Sequence, residues 1–127
     1  MRVFVVDDDP VYKMIVQRML AEHESNPRVS LFENGRDAFN NLRDAPGTAL
    51  PDIILLDIEM PVLDGWGFMD AFRRLPEEKR KGIKIYIVTS SVANEDVYKA
   101  RAYPEITAYI SKPVTRSKIN SILTGTV

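Results

Sequence analysis

The side chains of this sequence that could do chemistry are placed alike, because each comes at or shortly after the end of a short apolar run. They are Asp7, Asp8, Asp57, Thr89 and Lys112. Three carboxylates brought together are unfavourable on their own, since two unit charges about 5 Å apart repel by roughly 3 kcal/mol at an effective dielectric constant of 20. A bound proton or a cation must relieve that repulsion. Oxygen-only ligands at a partly open edge suit Mg²⁺, so we expect a magnesium site.

Phosphoryl transfer to a carboxylate is the chemistry that this set favours. Mg²⁺ and Lys112 would together balance the negative charges of the three carboxylates, and the same cations would screen the charge of an incoming phosphoryl group. In this interpretation Asp57 is the nucleophile, while Mg²⁺ and Lys112 stabilise the equatorial phosphoryl oxygens.

A parallel β-sheet would bring these residues to one edge. Unbroken apolar runs are typical of strands that are covered on both faces, and an alternating run suits a half-covered edge strand. The predicted strands are Val3–Val6, Val29–Phe32, Ile53–Leu56, Ile85–Val88 and Ala108–Ile110. Their alternation with helices predicts an α/β fold with a doubly wound, five-stranded parallel sheet, five helices and the flavodoxin-like strand order 2-1-3-4-5. In that order the first and third strands are neighbours, so the acidic pair faces Asp57.

Five helices are predicted between and after the strands. Asp9 is expected to cap the first, with Pro10 at its first position, where a missing N–H costs nothing. Its predicted buried stripe consists of Val11, Met14, Ile15 and Met19. The other four helices are marked by the segments Ala38–Leu42, Phe68–Leu75, Val97–Ala100 and, behind a Thr115 cap, Ile119–Leu123.

Composition limits the remaining possibilities. The sequence has 127 residues, no cysteine, one histidine and a formal net charge of −1. The absence of cysteine excludes disulfides and thiolate sites, and a near-neutral charge favours neither nucleic acid nor an anionic membrane. No apolar run is long enough to span a membrane. We expect a cytosolic chain with a single domain over residues 1–127 and no further domain, so a stand-alone protein is favoured over a domain excised from a longer one.

Four motifs carry a resemblance to a known family. They are Val5–Pro10, Leu55–Gly65, Val88–Ser90 and Lys112–Pro113. In register, they resemble the receiver domains of bacterial two-component response regulators, and they are similar to single-domain chemotaxis-type regulators. The resemblance covers Arg2 to about Leu123. It implies a phosphoacceptor that takes its phosphoryl group from a sensor histidine kinase or a histidine phosphotransfer protein and passes the signal to a downstream protein, without turning over a separate substrate.

The resemblance also implies a ligand set for the metal. Asp57 would be both phosphoacceptor and metal ligand, together with Asp8 and the backbone carbonyl of Glu59. Asp7 would hold the metal through water. The metal would be Mg²⁺, with Mn²⁺ as a possible substitute.

For signalling, the resemblance assigns three further residues. Lys112 would contact the phosphoryl group, and its peptide bond to Pro113 would be cis. Thr89 and Tyr109 match the hydroxyl and aromatic switch residues of the family. The surface that switches would be formed by the fourth helix, the fifth strand and the fifth helix.

Three other readings compete with this one. A haloacid-dehalogenase-like phosphatase would need an aspartate two residues after the nucleophile, where this sequence has Glu59. A flavodoxin would need a hydroxyl- and glycine-rich loop where this chain has three aspartates. A pseudo-receiver would lack Asp57, the acidic pair or Lys112, and none is missing. The segments 76–82 and 103–107 depart from the common receiver pattern, the first by lengthening the connection before the fourth strand.

Overall fold

The structure is a computed structural model that describes residues 1–91 and 93–127. Its sheet has five parallel strands in the order β2-β1-β3-β4-β5. The strands are β1 (Arg2–Val6), β2 (Arg28–Phe32), β3 (Ile53–Leu56), β4 (Lys84–Thr89) and β5 (Ile106–Ser111). The predicted sheet and strand order are confirmed, and β4 and β5 extend beyond the runs that marked them.

The described part of the chain contains six α-helices, one more than predicted. They are α1 (Pro10–Glu22), α2 (Gly35–Asp44), α3 (Gly65–Phe72), α4 (Glu77–Arg80), α5 (Asn94–Ala100) and α6 (Arg116–Thr124), with a 3₁₀ turn at Gly47–Ala49. The extra helix, α4, is one short turn inside the long connection before β4. The predicted fourth and fifth helices are therefore α5 and α6. Within residues 1–91 and 93–127, no helix has the length and apolar character needed to cross a membrane.

Apolar side chains from both faces of the sheet form two buried clusters. One packs α2 and α3 against the sheet and includes Phe4, Ile54, Phe68 and Phe72. The other packs α1 and α6 against the opposite face. It includes Val5, Val16, Leu20, Tyr86 and Ile119. Strands β1 and β3 bury residues on both faces, as their unbroken apolar runs predict.

The predicted inner face of α1 is wrong for three of its four residues, while the fourth, Met19, is partly buried against the core. Val11 and Met14 are each 64% exposed and Ile15 is 48% exposed, whereas Val16 and Leu20 are buried. Helix α1 carries apolar residues on two stripes, and the stripe that faces the sheet lies one position further along the chain. The helix start is as predicted, since the Asp9 side chain accepts hydrogen bonds from the first turn.

The start of β5, which lies in one of the two segments that depart from the common pattern, contains a bulge. Ile85 pairs with Ile106, but the next residue, Tyr86, pairs with Ala108. Thr107 is therefore the extra residue of a β-bulge. The pairing recovers beyond it, so Thr89 lies opposite Ser111 at the carboxyl edge of the sheet.

Candidate functional site

The carboxyl edge of the sheet positions the predicted site residues. Backbone hydrogen bonds continue past the strand ends: the Asp57 N–H donates to the Val6 carbonyl (2.9 Å) and the Lys112 N–H to the Thr89 carbonyl (2.9 Å). These bonds extend the hydrogen bonding of the sheet into the first residues of each loop. The site is thus built on the rigid part of the fold.

Three carboxylates and one ammonium group meet at this edge. Asp7, Asp8 and Asp57 each offer an oxygen atom within 4.8 Å of the others. Lys112 Nζ lies 2.7 Å from an Asp7 oxygen and 3.3 Å from an Asp57 oxygen. Asp7 and Asp57 are buried, whereas Asp8 is exposed. The predicted cluster therefore forms, with Lys112 bridging its two buried members.

Burial and neighbouring charges both shift the pKa values of Asp7 and Lys112, the closest ion pair of the site. Burial raises the pKa of the Asp7 carboxyl, and the charge of Asp57 raises it further, against the lowering effect of Lys112 and of the Asp9 N–H. Burial lowers the pKa of Lys112, but its hydrogen bond to Asp7 and the charge of Asp57 outweigh this, and the net pKa is raised. The site therefore favours the charged form of Lys112 and disfavours the charged form of Asp7.

The two buried carboxylates are oriented by their own neighbours in the chain. One Asp7 oxygen accepts the Asp9 N–H (2.9 Å) and the other contacts Lys112 (2.7 Å). One Asp57 oxygen accepts the Ile58 N–H (2.8 Å), and the other faces Lys112. Both oxygens of Asp7 are thus engaged, which leaves the exposed Asp8 carboxylate freer to bind a cation directly.

The loop after Asp57 is held close by a glycine. The Gly65 N–H donates to the Ile58 carbonyl (2.8 Å), and a Cβ on Gly65 would lie 2.5 Å from the Asp57 carbonyl oxygen. Such an approach admits only glycine. Asp64 caps α3 by accepting the Gly67 N–H (2.8 Å). Glu59, whose carbonyl the resemblance assigned to the metal, is exposed within this loop.

The two predicted switch residues are connected through Ser91. The Thr89 hydroxyl oxygen accepts the Ser91 N–H (3.2 Å), and the Tyr109 hydroxyl donates to the Ser91 carbonyl (3.1 Å). Thr89 is buried, and Tyr109 is partly buried against the core cluster of α2 and α3. Thr89 and Tyr109 therefore both form a hydrogen bond to Ser91, in the loop after β4. The sequence did not indicate this connection.

A polar network around Asp96 extends this connection. One Asp96 oxygen accepts the Ser91 hydroxyl (2.6 Å) and the other accepts the indole N–H of Trp66 (3.3 Å). The Trp66 ring stacks on Tyr103, with centroids 5.5 Å apart. Trp66 thus connects α3 to the first turn of α5.

The sequence missed one residue of the site itself. The Tyr12 ring lies beneath the ammonium group of Lys112, with Nζ 4.2 Å from the ring centroid. Its position in the first turn of a helix that follows the acidic pair could have indicated this, because helical side chains point back toward the helix N-terminus. The predicted cis peptide bond between Lys112 and Pro113 is confirmed.

Comparison with known proteins identifies the family. Residues 3–124 match the response regulator receiver domain family, so the chain belongs to it. The fold and the cluster of carboxylates with a lysine agree with that assignment. The chain is a receiver domain of two-component signal transduction.

Similar proteins are known as sequences and as structures. A two component response regulator from Cytophaga hutchinsonii is 26% identical, with a TM-score of 0.86 over 98% of this chain and 95% of that one. The receiver domain of sensor histidine kinase PA1611 from Pseudomonas aeruginosa, with a magnesium ion coordinated in its active site cleft, is 25% identical, with a TM-score of 0.81 over 98% and 94%. A protein-glutamate methylesterase/protein-glutamine glutaminase from Halalkalibacterium halodurans is 34% identical over 88% of this chain. The chain spans only 30% of the length of that relative.

Proposed function

We propose that Asp57 accepts a phosphoryl group from a phosphohistidine of a sensor histidine kinase or a histidine phosphotransfer protein. The observation that carries this proposal is the position of Lys112, which contacts both Asp7 and Asp57 and holds a cation beside the one carboxylate that ends the central strand β3. In the transfer, the nitrogen–phosphorus bond of the donor breaks as a carboxylate oxygen of Asp57 bonds to phosphorus. The ammonium group of Lys112 offsets the charge on the phosphoryl oxygens.

Mg²⁺ fits the donor set of this site. The available ligands are carboxylate and carbonyl oxygens, and the exposed Asp8 leaves one side of the cluster open for the water molecules that Mg²⁺ retains. Asp8, Asp57 and the carbonyl of Glu59 would bind it directly, and Asp7 through water. When bound, the ion supplies two positive charges against the phosphoryl oxygens. The magnesium-bound receiver domain of the Pseudomonas kinase supports this proposal.

The reaction is proposed to switch a surface rather than to turn over a substrate. Phosphorylation would give the Thr89 hydroxyl a new acceptor and so disturb its bond to Ser91, to which Tyr109 also bonds. Ser91 would pass that change to α5 and β5, and the face formed by α5, β5 and α6 would be read by a downstream protein. A charge-assisted hydrogen bond of about 1.5–3 kcal/mol is sufficient to shift a balanced two-state population by roughly ten- to a hundredfold.

A labelling experiment tests the assignment of the acceptor. With Mg²⁺ and a small acyl-phosphate donor, intact mass should show one added phosphoryl group on the wild type and none on Asp57→Asn. The matched control is Asp52→Asn, because Asp52 begins the same strand segment at the opposite edge, where it accepts the Arg2 N–H (2.9 Å). This variant should be labelled like the wild type. Equal labelling of Asp57→Asn and wild type would contradict the assignment, and removal of Mg²⁺ by EDTA should abolish labelling of the wild type and of Asp52→Asn.

A further inference from the structure

Tyr12 contacts the site without an evident polar role. It lies in the first turn of α1, four residues after Asp8, and presents the face of its ring to Lys112 Nζ at 4.2 Å from the centroid. The Lys112 side chain is only 16% exposed, so this contact is made largely away from solvent. A cation over an aromatic face is most stabilised where both groups are desolvated.

The hydroxyl group of Tyr12 does not explain its presence. Its oxygen is buried and has no hydrogen-bond partner among the described residues. Burial, followed by the charges of Asp7 and Asp57, raises the pKa of Tyr12, so the group stays neutral. Tyr12, Asp7 and Asp57 line one small cavity of about 10 Å³. The ring is therefore placed beside the reacting carboxylate, and the ring rather than the hydroxyl makes the useful contact.

We propose that Tyr12 is a positioning residue for phosphoryl transfer, whose aromatic face holds the ammonium group of Lys112 beside Asp57. The inference rests on the proposed function. Lys112 extends from the loop after β5 on a flexible stem, and two carboxylates attract it from one side. The ring of Tyr12 supplies a second contact that directs the ammonium group, so that the cation is in place when the phosphoryl group arrives.

Three replacements separate the ring from the hydroxyl group and from packing. Tyr12→Phe keeps the ring and removes an unpaired buried hydroxyl, so it should be labelled at Asp57 at the wild-type rate. Tyr12→Leu removes the aromatic face and should slow labelling by about three- to thirtyfold, the range expected for losing a partly or fully desolvated cation–π contact. Tyr12→Met, with an unbranched apolar side chain, should be slowed similarly and replaces the leucine variant if that protein does not fold.

A spectroscopic signature and a double variant distinguish positioning from general stability. The ε-methylene protons of Lys112 should show a ring-current shift in NMR spectra of wild type and Tyr12→Phe, and this shift should be lost in Tyr12→Leu. In a Lys112→Ala background, Tyr12→Leu should cause no further loss of rate, because the group it positions is gone. Equal rates for wild type and Tyr12→Leu, or an equal slowing in Tyr12→Phe, would overturn the inference. So would an undiminished slowing in the Lys112→Ala background. If the wild type itself takes no label at Asp57, the proposed function fails, and this inference with it.

Discussion

Replacing Asp7 by asparagine should make the metal-free protein more stable, although Asp7 forms the shortest ion pair of the site. Asp7 is 2% exposed and has two carboxylates within 4.8 Å, one of them also buried. Its raised pKa means that folding disfavours the charged form of this side chain. An asparagine keeps the shape and can still accept the Asp9 N–H, but it carries no charge.

The size of the effect follows from the distances. At 4.8 Å, the upper limit of these separations, each carboxylate pair repels by about 3.5 kcal/mol at an effective dielectric constant of 20, so the two pairs cost Asp7 at least about 7 kcal/mol. The contact with Lys112 at 2.7 Å returns about 6 kcal/mol on the same basis. The repulsion and the attraction nearly cancel, so the cost of burying the charge determines the sign of the effect on stability. Lys112 keeps Asp57 as a partner after the change, so no unpaired cation is created, and we expect a gain of about 1–2 kcal/mol.

Urea unfolding of wild type and Asp7→Asn at neutral pH, in EDTA and in Mg²⁺, measures the effect. The advantage of the variant should be complete above the raised pKa of Asp7, where the carboxyl is charged in the folded and the unfolded protein. It should disappear as the pH falls below 3.8, the ordinary pKa of the group, since the carboxyl is then protonated in the folded and the unfolded protein. Mg²⁺ should stabilise the wild type more than the variant, because the folded wild type binds it more tightly.

The control is Asp52→Asn at the amino edge of β3. This change removes a charge but keeps an oxygen that can accept the Arg2 N–H, so it should alter stability only slightly, by the same amount with and without Mg²⁺. A lower stability of Asp7→Asn than of wild type in EDTA at neutral pH would refute the reasoning. It would mean that the attraction to Lys112 outweighs both repulsion and burial.

Three further changes have predictable outcomes. Asp8→Asn should weaken Mg²⁺ binding more than Asp7→Asn does, because Asp8 is exposed and open to the ion whereas Asp7 is buried against Lys112; calorimetric titration giving the reverse order would exchange their roles. Thr89→Ala should still be phosphorylated but should lose the NMR shifts of residues 93–103 and 108–112 that the phosphate mimic beryllofluoride causes in wild type; identical shifts in both proteins would remove the hydroxyl from the switch. Gly65→Ala should lower the free energy of unfolding by about 1–3 kcal/mol through its 2.5 Å clash with backbone, whereas Gly47→Ala, with no atom within 4 Å of the new Cβ, should change it little.

The sequence was sufficient to predict the sheet and the acidic cluster because both depend on strong local signals. Unbroken apolar runs mark β1 and β3 wherever they pack, and parallel pairing brings their carboxyl ends to one edge. Asp7 and Asp57 follow such runs directly, and Lys112 follows the end of β5. To predict that these residues lie close together, only the strand order was needed. The alternation of strands and helices restricts that order to few possibilities.

Other features depend on tertiary contacts, which the periodicity of apolar residues in the sequence does not reveal. Helix α1 has two apolar stripes, and only packing against the sheet decides that Val16 is buried while Ile15 is exposed. The bulge at Thr107 is visible only when β5 is paired with β4. The bonds from Thr89 and Tyr109 to Ser91 involve its backbone amide and carbonyl, which every residue type except proline provides, so residue identity could not reveal them.

The shared bonds to Ser91 have a consequence for how the protein meets its partners. If Thr89 and Tyr109 are coupled through one residue, the coupling free energy acts equally in both directions. Consider a protein that binds around Tyr109 and prefers one position of that ring. Phosphorylation of Asp57 would change the affinity for this partner by some factor, and the partner would change the equilibrium of phosphorylation by the same factor. The partner would then be an input to the switch as well as its reader, and the extent of phosphorylation would depend on how much partner is present.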